Sequence, residues 1–438
     1  MKIGEHIDNP AQPKLINQKV TIGESQVSPL AKEDNVFVLL PIYGDSTDLS
    51  REGIRETTHR VQDLWRCMKT KKDLLHLLNV TLAWIYGERS TMLTMKHLTR
   101  CAFSSNKLKR YTTFRIPKKK KGEFRTIDAP VPMLKYIQRG MNFILQSVYT
   151  PHDAAKGFVP YRSVVDNAKV HTGQRLVYNI DLKDFFPSIT AGRLYHRLIS
   201  KPFSLTEEVA SIITDLCCYT NVEGRNVLPQ GAPTSPTITN IICERMDTKL
   251  NRLAKSYGLK YTRYADDITF SGMTNVFSDE GRFCQSMRHI IEEEEHFTIN
   301  KDKTRLCHRG MRQEVTGLTV NQQENVSRRY IKQLRTLIHN WEMNGYEKAQ
   351  EVFAKHYAEI NTRNVRSKGA HHIENIIAGK LMYLKMVKGE ADGTYKHLNE
   401  RFQTLMNNRR KAVAEVSNER ADDTLSVFSE LEELLNTE

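Results

Sequence analysis

Cysteine is sparse and unpaired: there are seven in 438 residues, none in a C-x-x-C pair. Cys217 and Cys218 are adjacent, a poor geometry for bridging each other. A disulfide framework and a zinc knuckle are thereby disfavoured, and a reducing cytosol fits. Long apolar runs are also missing. The start, MKIGEHIDNPAQPK, has no apolar signal core, and the run Val36–Tyr43 contains Pro41 and is far too short to span a membrane. The expectation is a cytoplasmic protein with no membrane partner. No repeat with a period of about 20–50 residues is visible.

What is present is a globular composition with a basic excess. Hydrophobic residues make up 39%, too many for a disordered chain, and the length allows two or three packed subdomains. The net charge is +14, which points to a polyanionic partner, nucleic acid first and anionic membrane second. That charge is unevenly spread. Val413 to Glu438 holds eight acidic residues against Arg420, a local −7 that leaves +21 on the rest. The tail reads as a separate segment, either solvated or contacting a basic surface.

Residues 1–60 read as an irregular extension, with Pro10, Pro13, Pro29 and Pro41 and one strand-like run, Val36–Leu40. From Asp63 to about Phe103 the apolar spacing is helical. Thr113–Pro117 and Phe124–Ile127 flank the lysines 118–121 and Gly122, the pattern of a hairpin with a basic tip. A helix is expected around Tyr136–Val148, a buried strand at Val177–Leu182, and a helix at Leu205–Cys218 opened by Ser204 with Glu207 as a capping box. Further helices are expected at Thr237–Ser256, at Val326–Gly345, and in pieces as far as Arg410. The Val326–Gly345 helix has an apolar side (Ile331, Leu334, Leu337, Ile338, Trp341) and a basic side (Arg328, Arg329, Lys332, Arg335).

Two clusters carry chemistry. Tyr264-Ala265-Asp266-Asp267 lies between β-prone flanks, and two adjacent acids at a hairpin tip repel each other. A divalent cation would relieve that repulsion, since carboxylate oxygens are natural magnesium ligands. Asp181 ends the apolar strand before Leu182. One acid from each of two strands can hold a metal pair about 4 Å apart, which suits phosphoryl transfer. Taken singly, each cluster also reads as an ordinary turn or cap.

The order of these pieces resembles the reverse transcriptases. Tyr264–Asp267 is similar to their YxDD box, Asp181 to the first palm acid, and Leu228-Pro229-Gln230-Gly231-Ala232-Pro233 to their nucleotide-pocket loop. The resemblance covers about Lys71 to Phe402. It implies an α+β right-hand polymerase fold: fingers with N-terminal helices (61–175), a palm with an antiparallel sheet (176–321), a helical RNA-binding thumb (322–410) and the acidic tail (411–438).

It also implies roles. Asp181, Asp266, Asp267 and the Leu182 carbonyl would hold two Mg2+ ions. Arg125 and one of the lysines 118–121, Lys118 for instance, would clamp the triphosphate of a deoxynucleotide. Phe186, or Phe185 if the register differs by one, would exclude a ribose 2′-hydroxyl. Gln230 would touch the sugar or base, with Gly231 letting the backbone approach. Lys303 would sit by the leaving pyrophosphate as a general acid, or is a surface lysine.

Asn167-Ala168-Lys169-Val170-His171 and Val315-Thr316-Gly317 resemble the N-A-x-x-H and V-T-G elements of retron reverse transcriptases. That branch implies a cognate structured non-coding RNA as template and primer, priming from a guanosine 2′-hydroxyl, and a branched RNA–DNA product. It implies phage defence with a separate effector protein. His171 is either an RNA contact or a core or capping histidine, and Gly317 would let the primer strand pass. The alternatives are another bacterial reverse transcriptase, of the group II intron kind or a defence enzyme without retron RNA, or a non-catalytic RNA-binding scaffold.

Overall fold

The computed structural model describes residues 51–102, 110–118, 122–360 and 372–435, with side chains omitted at 51–54, 356–360 and from 416 on. The expected strand Val36–Leu40 and the lysines at 119–121 lie outside the described residues, as do the side chains of most of the acidic tail.

Three helices open the described chain: α1 (Arg51–Cys67), α2 (Lys71–Tyr86) and α3 (Met95–Ala102). The expected irregular extension therefore already gives way to helix at Arg51. Thr70 caps α2 through a reciprocal box with Asp73. The fingers hairpin follows as β1 (Tyr111–Pro117) and β2 (Phe124–Pro130), antiparallel with Ile116 opposite Arg125. Then come α4 (Pro132–Val148) and α5 (Val164–Val170).

The palm strand β3 (Leu176–Lys183) leads to α6 (Ala191–Ile199) and α7 (Glu207–Cys217). The cap of α7 differs from expectation. Thr206 is its N-cap, without a side-chain cap bond, and Ser204 lies before it at φ +47. Thr206 instead donates its hydroxyl to the Lys69 carbonyl, tying this turn to the start of α2. The short pair β4 (Tyr219–Thr220) and β5 (Asn226–Val227) precedes α8 (Ser235–Ser256). Then follow β6 (Lys260–Tyr264), β7 (Asp267–Gly272), α9 (Arg282–Arg288), β8 (Thr298–Ile299), β9 (Arg305–His308), β10 (Glu314–Val315) and β11 (Leu318–Thr319).

The palm sheet runs β6-β7-β3, and β3 is shared on its far side by β9 along its first half and β8 along its end. All of its pairings are antiparallel, so the architecture is α+β with the antiparallel palm the sequence implied. Its apolar face packs on α8 and the fingers helices in one continuous core that includes Ile180, Phe270, Ile241 and Met246.

A second core joins the thumb helices α10 (Arg328–Ile360), α11 (Ile373–Lys388) and α12 (Gly393–Leu435) with Ala168, Val177, Val315 and Leu318. Leu334, Ile338 and Trp341 of α10 meet Ile377, Leu381 and Leu398 there. The helix expected to stop at Gly345 breaks at that residue (φ +74, ψ 171) and then resumes. The backbone of α12 passes position 411 without interruption.

Candidate active site

β6 and β7 form a two-residue hairpin, Tyr264 pairing with Asp267 across Ala265 and Asp266. Ala265 takes φ +57, the left-handed backbone that such tight hairpins require at their first turn residue. On the other side of β7, Asp181 of β3 stands in register with Asp267. The Leu182 amide donates to the Asp266 carbonyl at 3.0 Å. Residues 181, 266 and 267 are thus gathered at one end of one ladder by ordinary β pairing.

Their electrostatics follow from that crowding. Burial pushes the Asp266 carboxyl up, partly offset by its own amide; the Asp181 charge adds to the rise, while Lys303 and Arg125 pull it back. Burial in the cleft, then the charges of Asp266 and Asp181, raise Asp267 to about 7. Asp267 still reaches solvent, so this is an open cleft and not the core. Asp181 is satisfied by cations and donors: Lys303 Nζ lies 2.8 and 3.0 Å from its two oxygens, and Asn300 Nδ2 donates at 2.9 Å. Burial alone would lower the Lys303 ammonium, but the hydrogen bond and charge of Asp181, with the other two acids, hold it above its ordinary value.

The donor set suits magnesium. All three side chains offer hard carboxylate oxygens, and their mutual repulsion is what a divalent cation relieves. Among the described residues, no three His, Cys, Asp or Glu side chains are drawn together at metal-ligand spacing; Lys303 supplies the positive charge at Asp181 instead. Lys303 therefore stands against the acid itself.

The nucleotide-pocket candidates are held on β1, β2, the loop before α8 and the segment after β3. Arg125 is exposed on β2, and its charge is felt at Asp266. Lys118, at the end of β1, lies 3.7 Å from Glu123. Phe185 points into the core against Phe297, with ring centroids 5.5 Å apart. Phe186 is half-buried and lies 6.2 Å from the Phe158 ring, so only Phe186 has a face left for a ligand. The Gln230 carbonyl accepts from the Asp128 amide at 2.8 Å, docking the loop on β2. Gly231 holds φ +136, and a Cβ there would lie 2.9 Å from the Asp128 carbonyl and from Ile127. The close approach it permits is to the fingers strand.

The two short retron-like elements meet in space. Val315 and Leu318 pair across a tight turn in which Thr316 (φ +47) and Gly317 (φ +82) are both left-handed. The Asn167 amide reaches the Thr316 hydroxyl at 3.5 Å, and that hydroxyl reaches the Val164 carbonyl at 3.4 Å. Asn167 and Val315 are buried, while Gly317 is exposed. His171 is not a surface contact. It is fully buried, with Nδ1 2.7 Å from Ser271 Oγ and Nε2 2.7 Å from Thr262 Oγ1. Burial, then the charges of Lys260 and Lys156, push it down to about 3. It is a neutral clamp joining the end of α5 to both strands of the double-aspartate hairpin. Arg328, Arg329, Lys332 and Arg335 are all exposed on α10.

Sequence reasoning missed the support beneath the turn. The Gly157–Phe158 segment packs directly on it: a Cβ at Gly157 would lie 2.6 Å from the Ala265 nitrogen. The fully buried pair Arg263–Asp247 lies below. One signal was readable. Asp247 falls on the same helical stripe as Cys243, Leu250 and Ala254, all buried, and a charge there calls for a buried partner.

The family described as reverse transcriptase (RNA-dependent DNA polymerase) matches residues 116–342. The Retron Mx65 reverse transcriptase of Myxococcus xanthus is 36% identical over 65% of this chain and 63% of its own. The Retron Mx162 reverse transcriptase of the same organism is 39% identical over 52% of each. The Retron Ec86 reverse transcriptase of Escherichia coli is 33% identical over 53% of this chain and 70% of its own. The match thus spans under two thirds of the two Myxococcus relatives.

Proposed function

The chain belongs to the retron reverse transcriptases, and on that premise we propose that it is an RNA-directed DNA polymerase that copies a cognate structured RNA into DNA. The observation that carries this reading is the gathering of Asp181, Asp266 and Asp267 at one end of the β3–β7 ladder, with Arg125 close enough for its charge to act on Asp266.

Asp181, Asp266 and Asp267, with the Leu182 carbonyl, would hold two magnesium ions. When bound, these supply activation of the primer hydroxyl and charge neutralisation on the triphosphate. The Arg125 fork takes triphosphate oxygens, with Lys118 beside it. Phe186 presents a wall to the sugar and Gln230 faces the sugar or base. Lys303, held against the Asp181 carboxylate, carries the proton that the leaving pyrophosphate needs. The basic face of α10 follows phosphates without reading sequence, and the V-T-G turn lies along the primer. Priming from a ribose 2′-hydroxyl gives a branched RNA–DNA product. The setting is cytoplasmic phage defence, in which polymerase and product restrain a separate effector.

Primer extension on the RNA that copurifies with the chain, with deoxynucleotides and magnesium, tests this reading. Incorporation is expected, and Asp181→Asn or Asp266→Asn should reduce it on the order of a thousandfold or more while thermal unfolding is kept. Retained synthesis in either variant would remove the metal assignment. No incorporation on any RNA would favour the scaffold, and an unbranched product would favour another reverse transcriptase class.

A further inference from the structure

A buried charge network lies beneath the double-aspartate turn, and the polymerase reading gives it no role. Arg263 Nε donates to Asp247 Oδ1 at 2.8 Å and Nη2 to Oδ2 at 2.6 Å; both side chains are fully buried. The Tyr261 hydroxyl donates to the same Oδ1 at 2.7 Å. The guanidinium then reaches outward. Its Nη2 donates to Asn240 Oδ1 at 3.1 Å and its Nη1 to the Ala265 carbonyl at 3.2 Å. Asn240 passes the connection on, its Nδ2 donating to the Gly157 carbonyl at 3.0 Å and reaching that of Phe158 at 3.4 Å.

A buried ion pair returns little net stability for its desolvation cost, so one this fully hydrogen-bonded invites the question of what it specifies. Its two outputs are specific. Ala265 (φ +57) and Phe158 (φ +61) are both non-glycine residues in the left-handed region, a conformation the surroundings must hold. Ala265 immediately precedes Asp266. The Phe158 ring is tilted against that of Phe186, their centroids 6.2 Å apart. Backbone bonds join the two outputs, Lys156 N to the Arg263 carbonyl at 2.7 Å and Arg263 N to the Ala154 carbonyl at 2.8 Å.

We propose that Asn240, Asp247 and Arg263 are positioning residues that lock the double-aspartate turn and the Phe158–Phe186 wall into one unit, so that Asn240 and Phe158 set sugar selection together with Phe186. The inference rests on the reading of Phe186 as the wall against a ribose 2′-hydroxyl. A wall discriminates only as far as it stands still, and Phe186 is backed on this side by a ring whose backbone Asn240 holds. Loosening that backing enlarges the space for one oxygen atom without touching an acid.

The test is single-nucleotide incorporation by the full chain on a primed RNA, with deoxy- and ribonucleoside triphosphates of the same base. The readout is the ratio of their kcat/KM values. Partial unfolding lowers both rates alike and leaves that ratio untouched, so a merely structural role does not move it. Phe186→Val should lower the preference for the deoxy sugar, and Asn240→Ser and Phe158→Leu should each lower it about tenfold. Phe158→Leu keeps every hydrogen bond of the network and decides the matter if Asn240→Ser fails to fold. An effect of Phe186→Val with an unchanged ratio in the other variants overturns the inference alone. An unchanged ratio in Phe186→Val overturns the wall and the inference with it.

Discussion

Two hairpins face the same cleft and are built in opposite ways. In the palm hairpin, three of the five residues of β6 and five of the six of β7 are buried. Its turn has Gly157 pressed against it from one side and Arg263 bonded to it from below. In the fingers hairpin, β1 buries only Tyr111, and β2 only Asp128 and Pro130. Phe114 and Phe124 lie in solvent. Among the described residues it is tied to the palm side at its base, where Asp128 accepts from the Tyr219 hydroxyl at 2.6 Å and its amide donates to the Gln230 carbonyl. The acids thus ride on a preorganised platform, as chemistry that depends on placement needs. Arg125 rides on a lever with few buried contacts, whose displacement costs little free energy.

The sharpest break of this contrast is Asp247→Ala. It leaves the Arg263 guanidinium buried and unpaired, and removing one partner of a buried pair costs about 3–5 kcal/mol. Urea unfolding should show a loss of that size; a loss under about 1 kcal/mol, no more than a surface pair is worth, would mean the palm platform is not held from below. Acid should probe the same hairpin through His171. The unfolded chain takes up that proton near the ordinary histidine value of 6.5, the folded one only near 3. Below about 6.5 the unfolded state therefore binds more protons, and stability falls as the pH drops through that window. His171→Gln should flatten this part of the stability profile. An unchanged slope would mean that His171 charges without unfolding the clamp.

The fingers hairpin should respond in kinetics instead. On the proposed triphosphate role, Arg125→Ala would remove charge-assisted bonds to phosphate, worth about 1.5–3 kcal/mol, which corresponds to a rise of roughly 10–150-fold in KM for the deoxynucleotide. The urea midpoint should stay put, because Arg125 is exposed and supports nothing in the core. A KM that does not move would take the triphosphate away from this residue.

These contrasts were legible in the sequence only in part. The two hairpins and the order of the acids could be read from alternation and from Gly122 and Asp266-Asp267, because such signals are local; the palm turn itself falls one residue earlier, on Ala265 and Asp266. The clamp of His171 and the Asn240–Gly157 bond join residues 83 or more apart, and nothing in a window of residues announces them. Asp166 shows the same limit in reverse. It closes a capping box with Ser163 that fixes the start of α5, while the N-A-x-x-H pattern singles out only the neighbouring Asn167 and His171. The Ser204 cap failed because Thr206, two residues on, begins the helix once Ser204 takes φ +47.

The smallest expected effect separates the two hairpins most cleanly. Gly122 closes the fingers hairpin at φ +88, and among the described residues no atom beyond its chain neighbours lies within 4 Å of where a Cβ would stand. Gly122→Ala therefore meets no clash and pays only for the backbone conformation, about 1 kcal/mol. If the hairpin opens on its own, that cost falls on its closed form alone. The urea midpoint then stays where it was, and hydrogen exchange of the β1 and β2 amides speeds up by about fivefold, the population change that 1 kcal/mol produces. A shift of the global midpoint by the full amount, with exchange in β1–β2 tracking exchange in β6–β7, would show the two hairpins unfolding together. The difference in burial would then carry no difference in motion.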